Sequence, residues 1–337
     1  MQSSIFVTGG TGFVGSYLLR YLVAKGYQNI TALKRASSPM VLVEEVREKI
    51  QWVEGDILDV PLLEEVMADR DQVYHCAAMV SFDSNDKEQL FQTNVEGTAN
   101  IVNMALYHSI NKLVHISSVA AIGKEKDKAL ITEETKWVAQ KGLSNYAKSK
   151  YEAEMEVWRG IAEGLNAAIL NPSLILGSGF WDRGTGDIFR LYGSGFPFYS
   201  EGIGGVVDVR DVAKFALQLM ESDIEEERFI VSAKNLVYRN LFDQIATLAG
   251  KKTASIKVNA LLSQLGWRVE KIRSVLTGKK PTVTKESVRS AAAQHYYDNQ
   301  KSIERLDFTY TSVDDTIAAT VQQFIESEGQ PMVLPLT

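Results

Sequence analysis

A tyrosine and a lysine four residues apart, Tyr146 and Lys150, are the side chains of this sequence best suited to acid–base chemistry. At that spacing both lie on one face of a helix, with Cβ atoms about 5–6 Å apart. The same spacing also begins at Tyr21 and at Tyr297, so the pattern alone is not specific. Only Tyr146 begins a predicted helix that follows the fifth predicted strand and faces the carboxyl ends of the strands, where open α/β sheets bind ligands.

Ser118 adds a hydroxyl at the same sheet edge, because Ser117 and Ser118 follow directly on the fifth predicted strand. A phenol with a pKa of about 10 is a poor acid–base catalyst at neutral pH, and a nearby ammonium lowers that pKa by stabilising the phenolate. We therefore expect Lys150 to lower the pKa of Tyr146. Ser118 would hydrogen-bond the substrate oxygen, and Tyr146 would deliver a proton in reduction or remove one in oxidation.

A glycine-rich turn, Thr8–Gly15, lies between a short apolar strand, Ile5–Val7, and an amphipathic helix. Dinucleotide binding requires this context, since glycines let a pyrophosphate approach the backbone and the helix start offers free amides. The alternative is an ordinary glycine-rich turn. The predicted cofactor-binding residues of the turn are Gly9, Thr11, Gly12, Phe13, Val14 and Gly15.

The end of the second predicted strand distinguishes NAD from NADP. An acidic residue about 20 residues beyond the glycines binds the ribose 2′-hydroxyl of NAD, whereas a basic residue accommodates the 2′-phosphate of NADP. Lys34 and Arg35 stand there, with no carboxylate before Glu44, which favours NADP; the alternative is a pair of solvated strand-end bases. Further predicted cofactor contacts, each also compatible with a plain turn, are Asp56, Ile57, Ala77 and Ala78.

Short β-branched runs alternate with longer segments of helical period, which is typical of βαβ crossovers and a parallel sheet. The sequence predicts a doubly wound parallel Rossmann sheet in residues 1–171 and a smaller α/β C-terminal substrate domain in residues 172–337, parts of which could return to the sheet. The six predicted strands are 5–7, 30–33, 51–53, 72–75, 113–116 and 167–170, with helices near 41–49, 60–68, 86–108 and 145–163.

Composition argues against several classes of protein. The formal charge of −6 disfavours nucleic-acid binding by the whole chain, and no apolar run reaches the roughly 18 residues of a membrane span. A single cysteine, Cys76, and the lack of a recognisable secretory leader favour a reducing, cytoplasmic location. Scattered histidines predict no metal site, and no G-x-S-x-G elbow supports a serine hydrolase. A homodimer is left open.

One segment departs from the acidic average, since Lys251–Arg305 holds 12 basic and 4 acidic residues. An apolar stripe near 259–277 favours a helix docked on the core with a solvated basic face. The alternative is a lid, or attraction of an anionic substrate tail or membrane surface. The basic residues concerned are Lys271, Arg273, Lys279 and Lys280.

Taken together, these motifs resemble the extended short-chain dehydrogenase/reductases, also called the NAD-dependent epimerase/dehydratase family, over nearly the whole chain. The residues that carry the resemblance are Thr8–Gly15, Asp56, Ser118, Tyr146, Lys150 and Asn171–Ser173. Residues 75–83 and 94–98 look most like the dihydroflavonol reductase, cinnamoyl-CoA reductase and 3β-hydroxysteroid dehydrogenase branch.

The resemblance implies roles for individual residues. It makes Ser118, Tyr146 and Lys150 a catalytic triad and has Lys150 also bind the nicotinamide ribose. The remaining implied residues are Pro172 and Ser173, beside the nicotinamide ring, and Asn94, which bends its helix and organises water.

Dehydratases of this family place an Asp-Glu pair after the catalytic hydroxyl residue, whereas Val119–Ala121 stands there in this chain. Elimination is therefore disfavoured. We predict an NADP-dependent carbonyl reductase or alcohol dehydrogenase for a small, apolar or ring-bearing substrate, with Phe82 and aromatic residues of 174–205 lining the pocket. The alternative is an NAD-dependent nucleotide-sugar 4-epimerase, against which the basic pair after the second strand weighs. The complete triad disfavours a non-catalytic binding protein.

Overall fold

The computed structural model describes residues 3–124, 130–138, 143–259, 262, 267–268 and 284–336. Its strands are β1 (Ile5–Thr8), β2 (Ile30–Lys34), β3 (Gln51–Glu54), β4 (Gln72–His75), β5 (Lys112–Ile116), β6 (Leu130–Ile131), β7 (Ala167–Pro172), β8 (Leu174–Leu176), β9 (Phe198–Tyr199), β10 (Ile203–Asp208), β11 (Glu227–Val231), β12 (Lys234–Val237), β13 (Ile256–Lys257) and β14 (Tyr296–Tyr297). Its α-helices are α1 (Phe13–Ala24), α2 (Val60–Met67), α3 (Lys87–Phe91), α4 (Gly97–Tyr107), α5 (Asn145–Ala162), α6 (Gly186–Gly193), α7 (Val209–Glu221), α8 (Tyr238–Leu248), α9 (Lys285–Ala292), α10 (Gln300–Leu306) and α11 (Val313–Glu326).

Seven parallel strands form the central sheet, in the order β3-β2-β1-β4-β5-β7-β11. This is the doubly wound order with one further strand, so the predicted Rossmann α/β class is confirmed. All six predicted strands are present. The seventh, β11, comes from the C-terminal half of the chain and pairs with β7. The strand order reverses between β1 and β4, and that switch point is where such sheets bind ligands.

Both faces of the sheet are buried, because successive side chains of a strand point to opposite faces. In β1, Ile5 and Val7 pack into one apolar cluster with α1 and α7, while Phe6 packs into another with α2, α4 and α5. Because the side chains on both faces are apolar, β1 appears in the sequence as a continuous apolar run, and the strand was predicted from that run.

A third cluster forms the core of the C-terminal part, where α6, α8 and α11 pack on the small sheet β12-β10-β8. Several aromatic residues that were predicted to line a pocket are buried in this core, namely Trp181, Phe189, Tyr192 and Tyr199. These four aromatic side chains therefore pack in the core of the C-terminal part. The boundary at residues 171/172 stays a prediction, and β11 shows that a segment beyond it lies in the central sheet.

Two predicted helices differ in detail. Residues Val41–Lys49 form a 3₁₀-helix, and the segment predicted at 86–108 is divided into α3 and α4 by a π-helical turn at Gln92–Glu96. The predicted helix at 259–277 lies almost entirely outside the described residues, as do Lys271, Arg273, Lys279 and Lys280. Among the described helices, none is both long and apolar enough to cross a bilayer.

Candidate active site

The turn between β1 and α1 leaves no room for side chains at two of its glycines. Gly9 has φ +69°, and a Cβ atom there would lie 2.6 Å from the backbone nitrogen of Ala77. A Cβ atom on Gly15 would collide with the carbonyl oxygen of Gly9. Gly12 precedes α1 and caps it with no side-chain hydrogen bond. The first amides of α1 therefore have no side-chain acceptor and can donate to an anion.

Buried polar contacts hold this turn against the end of β4. The hydroxyl of Thr8 lies 2.7 Å from Nδ1 of His75 and accepts a 3.2 Å hydrogen bond from the amide of Ala77. The hydroxyl of Thr98 lies 2.9 Å from Nε2 of the same ring. Burial lowers the pKa of His75 to about 3, so the imidazole is neutral at pH 7. His75 is therefore a hydrogen-bonded core residue.

A cavity of about 380 Å³ opens beside the turn. Its walls are the start of α1, the residues after β2, Ala78 and the loop 177–186 that follows β8. Of the predicted turn residues, Thr11, Gly12 and Phe13 line it, whereas Gly9, Val14 and Gly15 belong to the backbone turn and helix start behind them. Amides, hydroxyls and guanidinium groups in one cavity fit the phosphates of a dinucleotide.

The two bases at the end of β2 have different surroundings. The Lys34 ammonium pairs with the Glu54 carboxylate at 3.2 Å, whereas Arg35 is exposed and lines the cavity. The Asp56 carboxylate closes its own turn by accepting the amide of Leu58 at 3.1 Å. Ile57 is buried against α4, where it contacts Gly97. Arg35 is thus the predicted base that the structure brings to the cavity.

The predicted triad comes together at the carboxyl edge of β5. Tyr146 lies in the first turn of α5, where the Ser144 hydroxyl caps the helix by accepting the amide of Ala147 at 3.0 Å. The Ser118 hydroxyl lies near enough to the Tyr146 phenol to lower its pKa, and both residues are half-buried. Lys150 is buried and donates from Nζ to the carbonyl oxygen of Ile116 at 3.1 Å.

The pKa of the Tyr146 phenol is raised, and not lowered as expected from the sequence. Burial raises the pKa of Tyr146 above its usual value, and the neighbouring Ser118 hydroxyl offsets only part of that increase. Burial also lowers the pKa of Lys150 to about 8. The expectation of a lowered phenol pKa was wrong because it considered the ammonium and left out the desolvation of both groups. A protonated Tyr146 at neutral pH is suited to donating a proton.

Asn94 lies in the π-helical turn and links two segments of the site. Its side-chain amide accepts from the amide of Met79 at 2.7 Å and donates to the carbonyl oxygen of Met79 at 3.0 Å. It also donates to the hydroxyl of Ser149, next to Lys150, at 2.9 Å. Phe82 is half-buried, and the centroid of its ring lies 5.7 Å from that of Tyr146. Phe82 is thus within reach of a substrate bound at the phenol.

Pro172 and Ser173 lie at the carboxyl end of β7, next to the strand that precedes Ser118. The amide of Ser173 donates to the carbonyl oxygen of Val231 on β11 at 3.1 Å. Both residues are buried. Two residues near the cavity were not predicted from the sequence: Arg183, whose loop forms its far wall, and Glu54, which pairs with Lys34. An exposed loop arginine and a strand-end glutamate give no local signal, because their roles depend on contacts distant in sequence.

Comparison with known proteins agrees with this geometry. The model of the NAD dependent epimerase/dehydratase family matches residues 5–231. The chain belongs to this family. It is 33% identical to "Putative dihydroflavonol 4-reductase" of Synechocystis sp., over 96% of this chain and 95% of that protein. It is 27% identical to "Cinnamoyl-CoA reductase 1" of Petunia hybrida, over 70% of this chain and 74% of that protein.

Solved structures share the fold over its full extent. The crystal structure of gox2253 superposes with a TM-score of 0.82 at 28% identity, covering 96% of this chain and 98% of that one. UDP-glucose 4-epimerase of Thermotoga maritima gives 0.78 at 20% identity, covering 96% and 99% of the two chains, and this likeness concerns the fold alone. The family and its reductase members identify the chain as an NAD(P)-dependent oxidoreductase of the short-chain dehydrogenase/reductase type.

Proposed function

We propose that this enzyme is an NADP-dependent reductase that converts a small ketone or aldehyde to the alcohol through Ser118, Tyr146 and Lys150. The observation that carries the proposal is the juxtaposition of Ser118 and Tyr146 at the carboxyl edge of β5, with a buried lysine one turn further along α5. Reductase relatives that align along most of the chain support carbonyl reduction over epimerisation.

The proposed chemistry assigns each side chain one task. The nicotinamide, when bound, supplies a hydride to the carbonyl carbon. Ser118 donates a hydrogen bond that orients the carbonyl oxygen, and Tyr146 transfers its proton to that oxygen as negative charge develops there. The carbonyl oxygen becomes the hydroxyl of the product alcohol, and Tyr146 becomes a phenolate. The Lys150 ammonium stabilises this phenolate until it regains a proton from solvent.

The raised pKa of Tyr146 bears on the direction of the reaction. Reduction requires the phenol to be protonated before hydride transfer, and burial favours that form at neutral pH. Oxidation requires a phenolate, which the same burial disfavours. We therefore infer that reduction is favoured over oxidation at neutral pH.

The proposed cofactor contacts follow the cavity. The amides at the start of α1 would hold the pyrophosphate, and Gly9 and Gly15 leave space for it. Arg35 would bind the 2′-phosphate. The other proposed contacts are Lys34, Asp56, Ile57, Ala77 and Ala78 along the adenosine half, and Lys150, Pro172 and Ser173 along the nicotinamide half.

Apolar surface next to the phenol supports the proposed substrate class. The ring of Phe82 packs edge-on to Tyr146, and Val80 in the same segment is 62% exposed. An exposed valine beside a half-buried phenylalanine favours an apolar or ring-bearing substrate over a sugar diphosphate, which needs paired cations for its phosphates.

A panel of ketones, aldehydes and nucleotide sugars, assayed with NADPH and with NADH, tests the proposal. We expect oxidation of NADPH with an apolar carbonyl. Tyr146→Phe should lower kcat by about 100-fold or more while NADPH still binds. Tyr151→Phe, which makes the same change on the same helix at a residue stacked on Trp137, should leave kcat unchanged.

Two results would overturn the proposal. Full turnover by Tyr146→Phe would remove the tyrosine from the chemistry. Turnover of a nucleotide sugar with no net change in nicotinamide absorbance, by a protein that copurifies with NAD, would establish the epimerase instead.

A further inference from the structure

A buried carboxylate lies directly below the proposed triad. Glu154 is on α5, one turn beyond Lys150 and two turns beyond Tyr146, so the three side chains share one helix face. The side chain of Glu154 is 0% exposed. A carboxylate in such a place is stable only when it is paired and hydrogen-bonded, and removing one partner costs more than the pair itself contributes.

The partners of Glu154 come from three neighbouring strands of the sheet. Its Oε2 accepts hydrogen bonds from the Ser117 hydroxyl, after β5, and from the Asn171 amide on β7, both at 2.6 Å. Its Oε1 accepts from the Arg228 guanidinium on β11 at 2.9 Å. One carboxylate therefore joins α5 to the three strands on this side of the sheet.

These contacts reach the proposed catalytic groups within one further bond. The Asn171 amide also donates to the carbonyl oxygen of Ser118 at 3.0 Å. Lys150 donates to the carbonyl oxygen of Ile116. Each residue from Ile116 to Ser118 is thus held by one side chain. Lys150 bonds the carbonyl oxygen of Ile116, Glu154 bonds the hydroxyl of Ser117, and Asn171 bonds the carbonyl oxygen of Ser118.

We propose that Glu154 is a positioning residue for the reaction: it fixes the segment that presents the Ser118 hydroxyl, and its negative charge keeps Lys150 protonated. This inference rests on the proposed function of the triad. Glu154 touches neither substrate nor cofactor in this scheme, and it acts through Ser117, Asn171 and Lys150.

The groups around Lys150 support the electrostatic part. Burial lowers the pKa of Lys150, and the Glu154 carboxylate opposes that decrease. The other titratable groups near the ammonium are uncharged near pH 8, since burial raises the pKa of Cys76 to about 12 and lowers the pKa values of His75 and His115. Among the described residues that act on Lys150, Glu154 is therefore the one that carries a charge at this pH.

Glu154→Gln tests both parts, because it keeps the shape of the side chain and removes its charge. We expect kcat to fall by at least tenfold. We also expect the pH at which activity is lost on the alkaline side to move down by about 1 unit or more, since an opposite charge within this range shifts a pKa by roughly 1–3 units. The Kd for NADPH, measured by fluorescence at mildly acidic pH, should change by less than about twofold because Lys150 is then protonated in both proteins.

Matched variants separate positioning from charge. Glu152→Gln removes an exposed carboxylate from the same helix and should change neither kcat nor the pH profile. Glu154→Asp should restore the alkaline limit while kcat stays low, since the shorter side chain retains the charge but not the geometry. Ser117→Ala should lower kcat without moving the alkaline limit, and it provides a test of positioning if Glu154→Gln does not fold.

The inference is overturned if Glu154→Gln keeps the alkaline limit of the parent enzyme, if Glu152→Gln moves it equally, or if Ser117→Ala leaves kcat unchanged. Its failure is distinct from failure of the proposed function. If only the inference about Glu154 fails, Tyr146→Phe still abolishes turnover. If the proposed function fails, Tyr146→Phe stays active.

Discussion

Replacing Arg35 by Gln should remove most of the preference of the enzyme for NADPH over NADH. Arg35 is exposed on the cavity wall at the end of β2. Its neighbour Lys34 is already paired with Glu54. If Arg35 binds the 2′-phosphate, its loss should weaken NADPH binding and leave NADH binding almost unchanged, because NADH has no phosphate there.

The expected magnitude follows from the type of contact. A hydrogen bond to a charged group contributes about 1.5–3 kcal/mol, and about 1.4 kcal/mol is a tenfold change in affinity. The side chain of Arg35 is exposed, so the lower part of that range applies and we expect NADPH to bind roughly 10- to 30-fold more weakly. The Lys34 ammonium is already engaged by Glu54, so we expect Lys34→Gln to weaken NADPH binding by less than about fivefold, which corresponds to about 1 kcal/mol.

Titration of intrinsic fluorescence with NADPH and with NADH gives two dissociation constants for each protein. The parent enzyme should prefer NADPH, Arg35→Gln should lose most of that preference, and Lys34→Gln should keep it. Equal weakening of both cofactors by Arg35→Gln would show that the guanidinium does not recognise the 2′-phosphate. A larger effect from Lys34→Gln than from Arg35→Gln would reverse the assignment of the two bases.

Three further predictions follow from single features of the structure. Gly9→Ala should abolish the stabilisation by NADPH seen in thermal unfolding, because its φ is positive and its Cβ would meet backbone; Gly26→Ala, with positive φ but open space, should retain it, and equal behaviour of the two would contradict the steric argument. The rate of reduction should be highest below pH 8 and should fall as the pH rises through about 8, the pKa of Lys150, because the reaction needs the ammonium. A rate that stays constant up to about pH 10 would exclude that role. Tyr17→Phe should lower the free energy of unfolding in urea by about 1–3 kcal/mol, since it removes hydrogen bonds to two buried backbone groups, and no change would show that those groups find other partners.

Much of the fold could be predicted because local pattern and final structure agree. The apolar runs Ile5–Val7 and Ala167–Leu170 are strands because both faces of the sheet are covered, and the glycine turn is recognisable because backbone strain and close approach are local properties. The strand order then brings Ser118 and Tyr146 together at one edge, although 28 positions separate them in the sequence.

What the sequence did not reveal depends on contacts between distant segments. The family resemblance implied a bend at Asn94, but the bonds to Met79 and Ser149 that stabilise its π-helical turn join segments distant in the sequence. In the sequence, Glu154 cannot be distinguished from the other charged residues of its helix. Its role becomes apparent only when β7 and β11 place Asn171 and Arg228 beside it.

A crystal structure of the enzyme with NADPH and an apolar carbonyl compound tests the central claim most directly. We expect the Tyr146 phenol oxygen within about 2.6–3.2 Å of the carbonyl oxygen, the Ser118 hydroxyl on the same oxygen, and the nicotinamide carbon facing the carbonyl carbon. A dinucleotide bound with its nicotinamide away from Tyr146, or a phenol turned out of the site, would contradict the assignment of the chemistry.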